Sequence, residues 1–153
     1  MNEETVVRTY ADMVYKIAYR YVANPTDVDD VFSETFLTYF KKERVFQDEE
    51  HRKAWLIRVT INCAKDFLRG KMSWEELNEE IAGENAPTVC SEEHLDLHEA
   101  IRQLRLEYRE VICLHYLEGL SVNEISDILD RNENTVKTHL ARGREKLRKF
   151  LED

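Results

Sequence analysis

The sequence predicts an all-α protein made of two small helical domains joined by an acidic linker, the C-terminal one a helix-turn-helix. Three observations carry that expectation. Apolar residues recur three or four positions apart along most of the 153 residues, the spacing of one helix face. Four Gly and two Pro are too few for the closely spaced turns of a β-sandwich or barrel. Charge is unevenly placed: residues 1–69 carry 11 basic and 12 acidic side chains, residues 70–98 carry 1 and 8, and residues 99–153 carry 10 and 11. The net charge of −9 would argue against a phosphate-binding surface, but most of it belongs to the central segment.

The first helix is expected over about residues 5–22, with Val6, Tyr10, Met13, Val14, Ile17, Ala18 and Tyr21 on its buried stripe. Asn24-Pro25 ends it. Thr26 is then read as an N-cap with Asp29 three residues on, and the acidic first turn (Asp27, Asp29, Asp30) suits the helix dipole. This second helix runs to about residue 42. Its apolar stripe is Val28, Val31, Phe32, Phe36, Tyr39 and Phe40, which leaves Asp29, Asp30, Ser33 and Glu34 on or near the wet side. Residues 43–50 break both periodicities and form a loop. A third helix over about residues 51–69 is apolar on more than one side, and Gly70 closes it as a left-handed cap.

Over residues 71–90 periodicity fades among Gly83, Asn85, Pro87 and five Glu, so this is a tether with a short helical piece around residues 74–81. Ser91 is the next N-cap. Four shorter helices follow over residues 92–104, 107–117 (closed by Gly119), 122–129 (capped by Ser121) and 133–151 (capped by Asn132). The resulting domains are residues 1–70 and 91–153.

The last two helices and the three residues between them have the dimensions of a helix-turn-helix. Ile125, Ile128 and Leu129 can close a core with Val136 and Leu140. That leaves Asn134, Thr135, Lys137, Thr138, His139 and Arg142 at the exposed start and flank of the second helix, side chains able to reach base edges and phosphates. Arg144, Lys146, Arg148 and Lys149 extend the positive charge, with Glu145 the one acid.

A second basic cluster lies on the third helix: Arg52, Lys53, Arg58, Lys65 and Arg69, with Lys71 beyond it, against Asp66. Trp55 and Trp74 flank it and Asn62 supplies an amide. Cations interleaved with rings suit single-stranded nucleic acid, where rings stack on bases and cations follow the backbone. Trp55 also fits a core position of an amphipathic helix, whereas the cations have no apolar reason to be there.

Other chemistries find little support. No Ser-His-Asp order, Gly-rich phosphate loop or isolated carboxylate pair suggests catalysis, so no enzyme activity and no cofactor are expected. Cys90, His94 and His98 recur every four residues, but helix positions eight apart are separated by about 12 Å, beyond two ligands of one ion at about 2 Å each. No metal is expected. Three cysteines without a CxxC pair fit a reducing cytosol. The acidic first residues and the lack of a long apolar run predict a soluble, cytoplasmic chain without export signal or membrane span.

Two basic helices on separate small domains resemble bacterial RNA polymerase sigma factors of the extracytoplasmic-function class, which keep only regions two and four. Three segments carry the resemblance. Residues 27–36, from Asp27-Val28-Asp29-Asp30 to Ser33-Glu34-Thr35-Phe36, resemble the family's D-x-E-D-L-x-Q-E-x-F. Residues 54–69, from Ala54-Trp55-Leu56 through Asn62 and Asp66 to Arg69, resemble its W-L-x-x-I-A-x-N-x-x-x-D-x-x-R helix. Arg109-Glu110-Val111, Glu118-Gly119-Leu120-Ser121 and Thr135-Val136-Lys137 through Arg142, Arg144 and Leu147 resemble the region-four segments. Ser33 departs from the family's Gln, Asp130 and Arg131 from its Gly and aliphatic turn residues, and His139 from a frequent Arg. The Leu-Pro that commonly precedes Arg-Glu-Val is absent.

The resemblance implies a promoter-specificity subunit that directs core polymerase to promoters and helps melt the minus-ten element. Asp27, Asp29, Asp30, Ser33, Glu34 and Phe36 would dock on the clamp of the largest subunit. Arg52, Lys53, Trp55, Arg58, Asn62, Lys65 and Arg69 would hold the melted strand, with a flipped base captured near residues 46–51. Asn134, Thr135, Lys137, Thr138, His139, Arg142, Arg144 and Lys146 would read the minus-thirty-five duplex. Implied partners are RNA polymerase core (clamp and flap region), promoter DNA and an anti-sigma factor. One alternative is a stand-alone helix-turn-helix regulator with an N-terminal sensing or dimerisation domain; another is a purely protein-interaction module. Residues 75–96 are further expected to shield the basic helices in the free chain.

Overall fold

Asn2 opens the first helix, α1 (Glu3–Val22), its Oδ1 accepting from the Thr5 amide at 2.8 Å. The computed structural model describes residues 2–22, 24–41, 44–70 and 95–152, and the chain divides into two compact units, Met1–Ser73 and Trp74–Asp153. Among the described residues all regular structure is helical. No helix among them is long and apolar enough to cross a membrane.

In the first unit α1, α2 (Pro25–Lys41) and α3 (Glu49–Arg69) each pack against the other two. Val6, Tyr10, Val14, Phe36 and Leu56 form the centre of the core, with Met13, Phe32, Tyr39, Phe40 and Trp55 against it. Thr35 and Thr60 are also buried there. Each satisfies its hydroxyl by donating to the carbonyl one turn back, Val31 O at 2.8 Å and Leu56 O at 2.7 Å.

Local chemistry corrects several expectations. Asn24, not Thr26, caps α2: its Oδ1 accepts from the Thr26 amide at 2.9 Å and its carbonyl from Val28 at 2.9 Å. Pro25 then occupies the first helical position, where its missing N–H costs nothing. Helix α3 starts at Glu49 because Asp48 Oδ1 accepts from the His51 amide at 2.7 Å. Gly70 keeps a right-handed φ of −68°, so the cap there needs no left-handed residue.

In the second unit α4 (Leu95–Gln103), α5 (Leu106–Ile112) and α6 (Val122–Leu129) pack on the long α7 (Glu133–Glu152). The helix expected over residues 107–117 widens into a π-helical turn at Cys113–Leu117, closed by Glu118 N to Cys113 O at 3.1 Å. Gly119 then turns at φ +73°, and Leu120 returns into the core. Ser121 and Glu124 form a reciprocal capping box, both bonds 3.1 Å. Asp130 takes the left-handed conformation (φ 55°, ψ 50°) that the turn demands. Asn132 caps α7 by accepting from Asn134 N at 2.8 Å.

Helices α5 and α7 approach closely at Gly143, where an added Cβ would lie 2.9 Å from Ile112 Cγ1 and 3.1 Å from its Cδ1. Gly143→Ala would gain about 1 kcal/mol of helix propensity but overpack the stiff β-branched side chain of Ile112 at a cost of about 1–3 kcal/mol. The clash is expected to win, lowering the urea midpoint of the full chain.

The tether, the helical piece around residues 74–81, the Ser91 cap and Trp74, Cys90 and His94 lie outside the described residues, as does nearly all of the shielding segment.

Candidate docking and nucleic-acid surfaces

Three surfaces gather the residues singled out by sequence. On α2, Asp30, Ser33 and Glu34 are exposed along one stripe that continues to Leu37, 53% exposed although apolar. Asp29 turns toward α1, accepting from Tyr15 Oη at 2.9 Å, and Tyr15 in turn stacks on Phe32 at 4.2 Å. This bond, more than burial, raises the Tyr15 pKa. Asp27 is half-buried. Phe36, which the resemblance assigned to docking, is buried where the apolar stripe put it: it is 5% exposed, lies between Phe32 and Phe40, and holds the helix down. Leu37, which the apolar stripe left out, takes its place on the surface.

On α3, Trp55, Arg58, Asn62, Lys65 and Arg69 recur every three or four residues and therefore share one face, with His51 at its head. Arg58, Asn62 and Arg69 are exposed and Lys65 is half-buried. Arg52 and Lys53 fall off this face. Arg52 pairs with Glu49 and lies over the Phe46 ring at 5.0 Å, while Lys53 is half-buried on the side that leads into the core.

The loop before α3 folds onto this head. Phe46 stacks nearly parallel to Tyr39 at 6.0 Å and meets Trp55 and His51 edge-on at 6.0 and 5.2 Å. Arg44 lies over the Trp55 ring at 4.8 Å. The result is a shelf of four rings edged by two guanidiniums at one end of a polar and cationic row. Arg44 was legible as a cation two residues from Phe46, but the loop reading assigned it no role.

In the second unit α6, the turn and α7 form the expected helix-turn-helix around Ile125, Ile128, Val136 and Leu140, with Leu129 half-buried. Asn123 Nδ2 donates to Glu133 Oε1 at 2.7 Å, tying the starts of the two helices together. Arg131 folds back from the turn to pair with buried Glu110 on α5 and to donate to Glu107 O at 3.2 Å. Asn134, Thr135, Lys137, Thr138 and Arg142 are exposed, and so is Ala141 among them. Arg144 and Lys146 are exposed but lean on the unit's own aromatics: Arg144 Nη1 donates to Tyr116 Oη at 2.9 Å, and Lys146 Nζ lies 5.5 Å from the Tyr108 ring.

His139 departs from the exposed row. It is half-buried, packs edge-on against Tyr108 at 5.5 Å, and its Nδ1 is buried without a hydrogen-bond partner. Burial, followed by the Arg131 and Arg142 cations, holds its pKa below the ordinary value, against the opposing pull of Glu107 and Glu110. The folded state therefore takes up a proton less readily than the unfolded chain, and stability falls as pH drops below the unfolded value of about 6.5. His139→Phe is expected to flatten the decline of the urea midpoint between neutral pH and about pH 5; an unchanged slope would contradict this.

Among the described residues no group of three His, Cys, Asp or Glu could hold a metal ion. A three-helix unit with a cationic, ring-headed helix face and a separate helix-turn-helix unit define a two-part nucleic-acid-binding architecture.

Comparison with known proteins gives the family. Residues 6–73 match the family described as Sigma-70 region 2, and residues 94–147 match Sigma-70, region 4. The chain is 33% identical to the ECF RNA polymerase sigma factor SigW of Bacillus subtilis strain 168, covering 97% of this chain and 88% of that protein. It is 30% identical to RNA polymerase sigma factor SigV of the same strain, covering 90% and 84%. Among solved structures, the sigma factor RpoE in complex with the anti-sigma factor NepR from Bartonella quintana shares the fold, with a TM-score of 0.78 at 19% identity over 97% of this chain and 96% of that one. The chain belongs to the ECF RNA polymerase sigma factors and is a promoter-specific transcription initiation factor. The stand-alone regulator reading is displaced.

Proposed function

We propose that the chain joins core RNA polymerase in the cytoplasm through α2, holds the melted minus-ten strand on α3, and reads the minus-thirty-five duplex with α7. It does so as a binding subunit without catalysis of its own. Residues 1–70 serve the clamp and the minus-ten element, residues 71–90 are the linker, and residues 91–153 serve the minus-thirty-five element and the flap.

The observation that carries this reading is the face of α3. Arg58, Asn62, Lys65 and Arg69 form a row that can follow a sugar-phosphate backbone, and at its head Tyr39, Phe46, His51 and Trp55 offer rings to an unstacked base. Stacking on such rings contributes about 1–3 kcal/mol per base, comparable to the few kcal/mol that extruding a base costs. Capture therefore offsets much of the melting cost. The Asp30, Ser33, Glu34 and Leu37 stripe supplies charge and an apolar contact for the clamp. Because the structural neighbour is complexed with an anti-sigma factor, a regulator of that kind is also assigned to this chain.

The test is co-purification with core polymerase, followed by run-off transcription on a promoter library and permanganate probing of unpaired thymines. Polymerase association, enrichment of two spaced elements and permanganate reactivity in the downstream one are expected. Duplex binding by the isolated chain with no polymerase association would overturn the proposal.

A further inference from the structure

The reading face of α7 contains a small apolar spot that its charges do not explain. Thr138 is exposed, and its Oγ1 donates to Asn134 O at 2.9 Å. With the hydroxyl turned back along the helix, the tetrahedral Cβ directs the methyl group outward. Thr35 and Thr60 make the same bond inside the core and Thr38 makes it at 2.8 Å on α2; Thr138 makes it on the exposed face of the duplex-reading helix. Ala141, three residues on, is also exposed and presents only a methyl group. Around these two methyls stand Asn134 one turn earlier and the cations Lys137 and Arg142.

We propose that Thr138 and Ala141 contact the 5-methyl group of one thymine in the minus-thirty-five duplex, and so make this chain specific for a T·A pair at that position. The inference deepens the reading of α7 as the duplex-binding helix and rests on it. Two methyl groups are too small a patch to dock a protein, but they match a single methyl on a base edge. In the major groove only thymine presents one. Lys137 and Arg142 can hold the phosphates on either side, and the short side chain of Ala141 lets the helix backbone come close to the groove. The hydroxyl of Thr138, already committed as a donor, has no proton left to give to a base.

The experiment uses holoenzyme assembled from the full chain and core polymerase on a promoter taken from the library selection. Each thymine of the minus-thirty-five region is replaced singly by deoxyuridine, which removes the methyl and keeps the base pair. Binding should weaken about fourfold at one position, the factor given by burial of one methyl group. Thr138→Val, which keeps the outward methyl, should keep the full uracil penalty. Thr138→Ser should lose affinity on thymine and show a smaller penalty on uracil, the remainder belonging to Ala141. Circular dichroism of both variants checks that the helices are intact. The inference is overturned if base-pair changes matter but no uracil does, if the penalty is undiminished in Thr138→Ser, or if Thr138→Val loses as much affinity as Thr138→Ser. If no minus-thirty-five base-pair change affects wild-type binding, the duplex-reading role of α7 falls with it.

Discussion

Arg131→Leu is expected to destabilise the C-terminal unit by about 3 kcal/mol or more, and Glu110→Leu by distinctly less. The asymmetry follows from burial. The Glu110 side chain is 1% exposed and the Arg131 side chain 19% exposed. Removing the guanidinium leaves a carboxylate where water cannot reach it, the costly case for a buried charge. Removing the carboxylate leaves a cation on a three-residue turn, from which it can swing into solvent. The double variant Glu110→Leu/Arg131→Leu should return to within about 1 kcal/mol of wild type, because an apolar pair often replaces a buried ion pair at no net loss. Urea unfolding of the full chain, with amide exchange on α5 to α7, measures the cycle. If the two single effects simply added, the ion pair would not hold the unit together. The Arg131 guanidinium also donates to Glu107 O, a second tie between the turn and α5 that the substitution removes. The single variant should therefore loosen the turn that aims α7 and weaken minus-thirty-five binding before the unit unfolds.

This ion pair shows where sequence reasoning stops. Glu110 and Arg131 stand 21 residues apart, and nothing local links them; Arg131 was visible only as a departure from the family's aliphatic turn residue. What local chemistry governs was legible. Periodicity gave the helices, and Ser121 and Asn132 gave their caps. Even local rules can compete: Thr26 with Asp29 resembled a capping box, but Pro25 at the first helical position hands the cap to Asn24.

At the candidate sites residue type was informative and facing was not. A basic residue on a helix can lie on the open face, as Arg58 does, or around its side, as Arg52 and Lys53 do. The choice depends on which flank the neighbouring helices cover. The same uncertainty left Leu37 unnoticed, and it put His139 in the reading row although Tyr108 draws it inward. The shelf of rings required the loop to fold back on α2 and α3, which no spacing rule encodes.

Reversing Asp30 and Glu34 together to Lys should weaken association with core polymerase by about 100-fold or more, since juxtaposed like charges cost several kcal/mol and about 1.4 kcal/mol is a factor of ten. The effect should be confined to binding. Both carboxylates are exposed, and surface substitutions of this kind usually stay within about 0.5 kcal/mol of wild-type stability, so the urea midpoint should hardly move. The control reverses Glu4 and Asp12 on α1, which are 76% and 81% exposed and pair with Arg8 and Lys16. It changes net charge equally at a different place. If the polymerase merely sensed overall charge, control and test variants would lose affinity alike; if α2 docks directly, only the test variant fails, as titration with labelled chain would show. Leu37→Ala separates the contributions further. It removes an exposed apolar contact without touching charge, so its loss of affinity should persist at high salt, whereas the carboxylate contribution should be screened away.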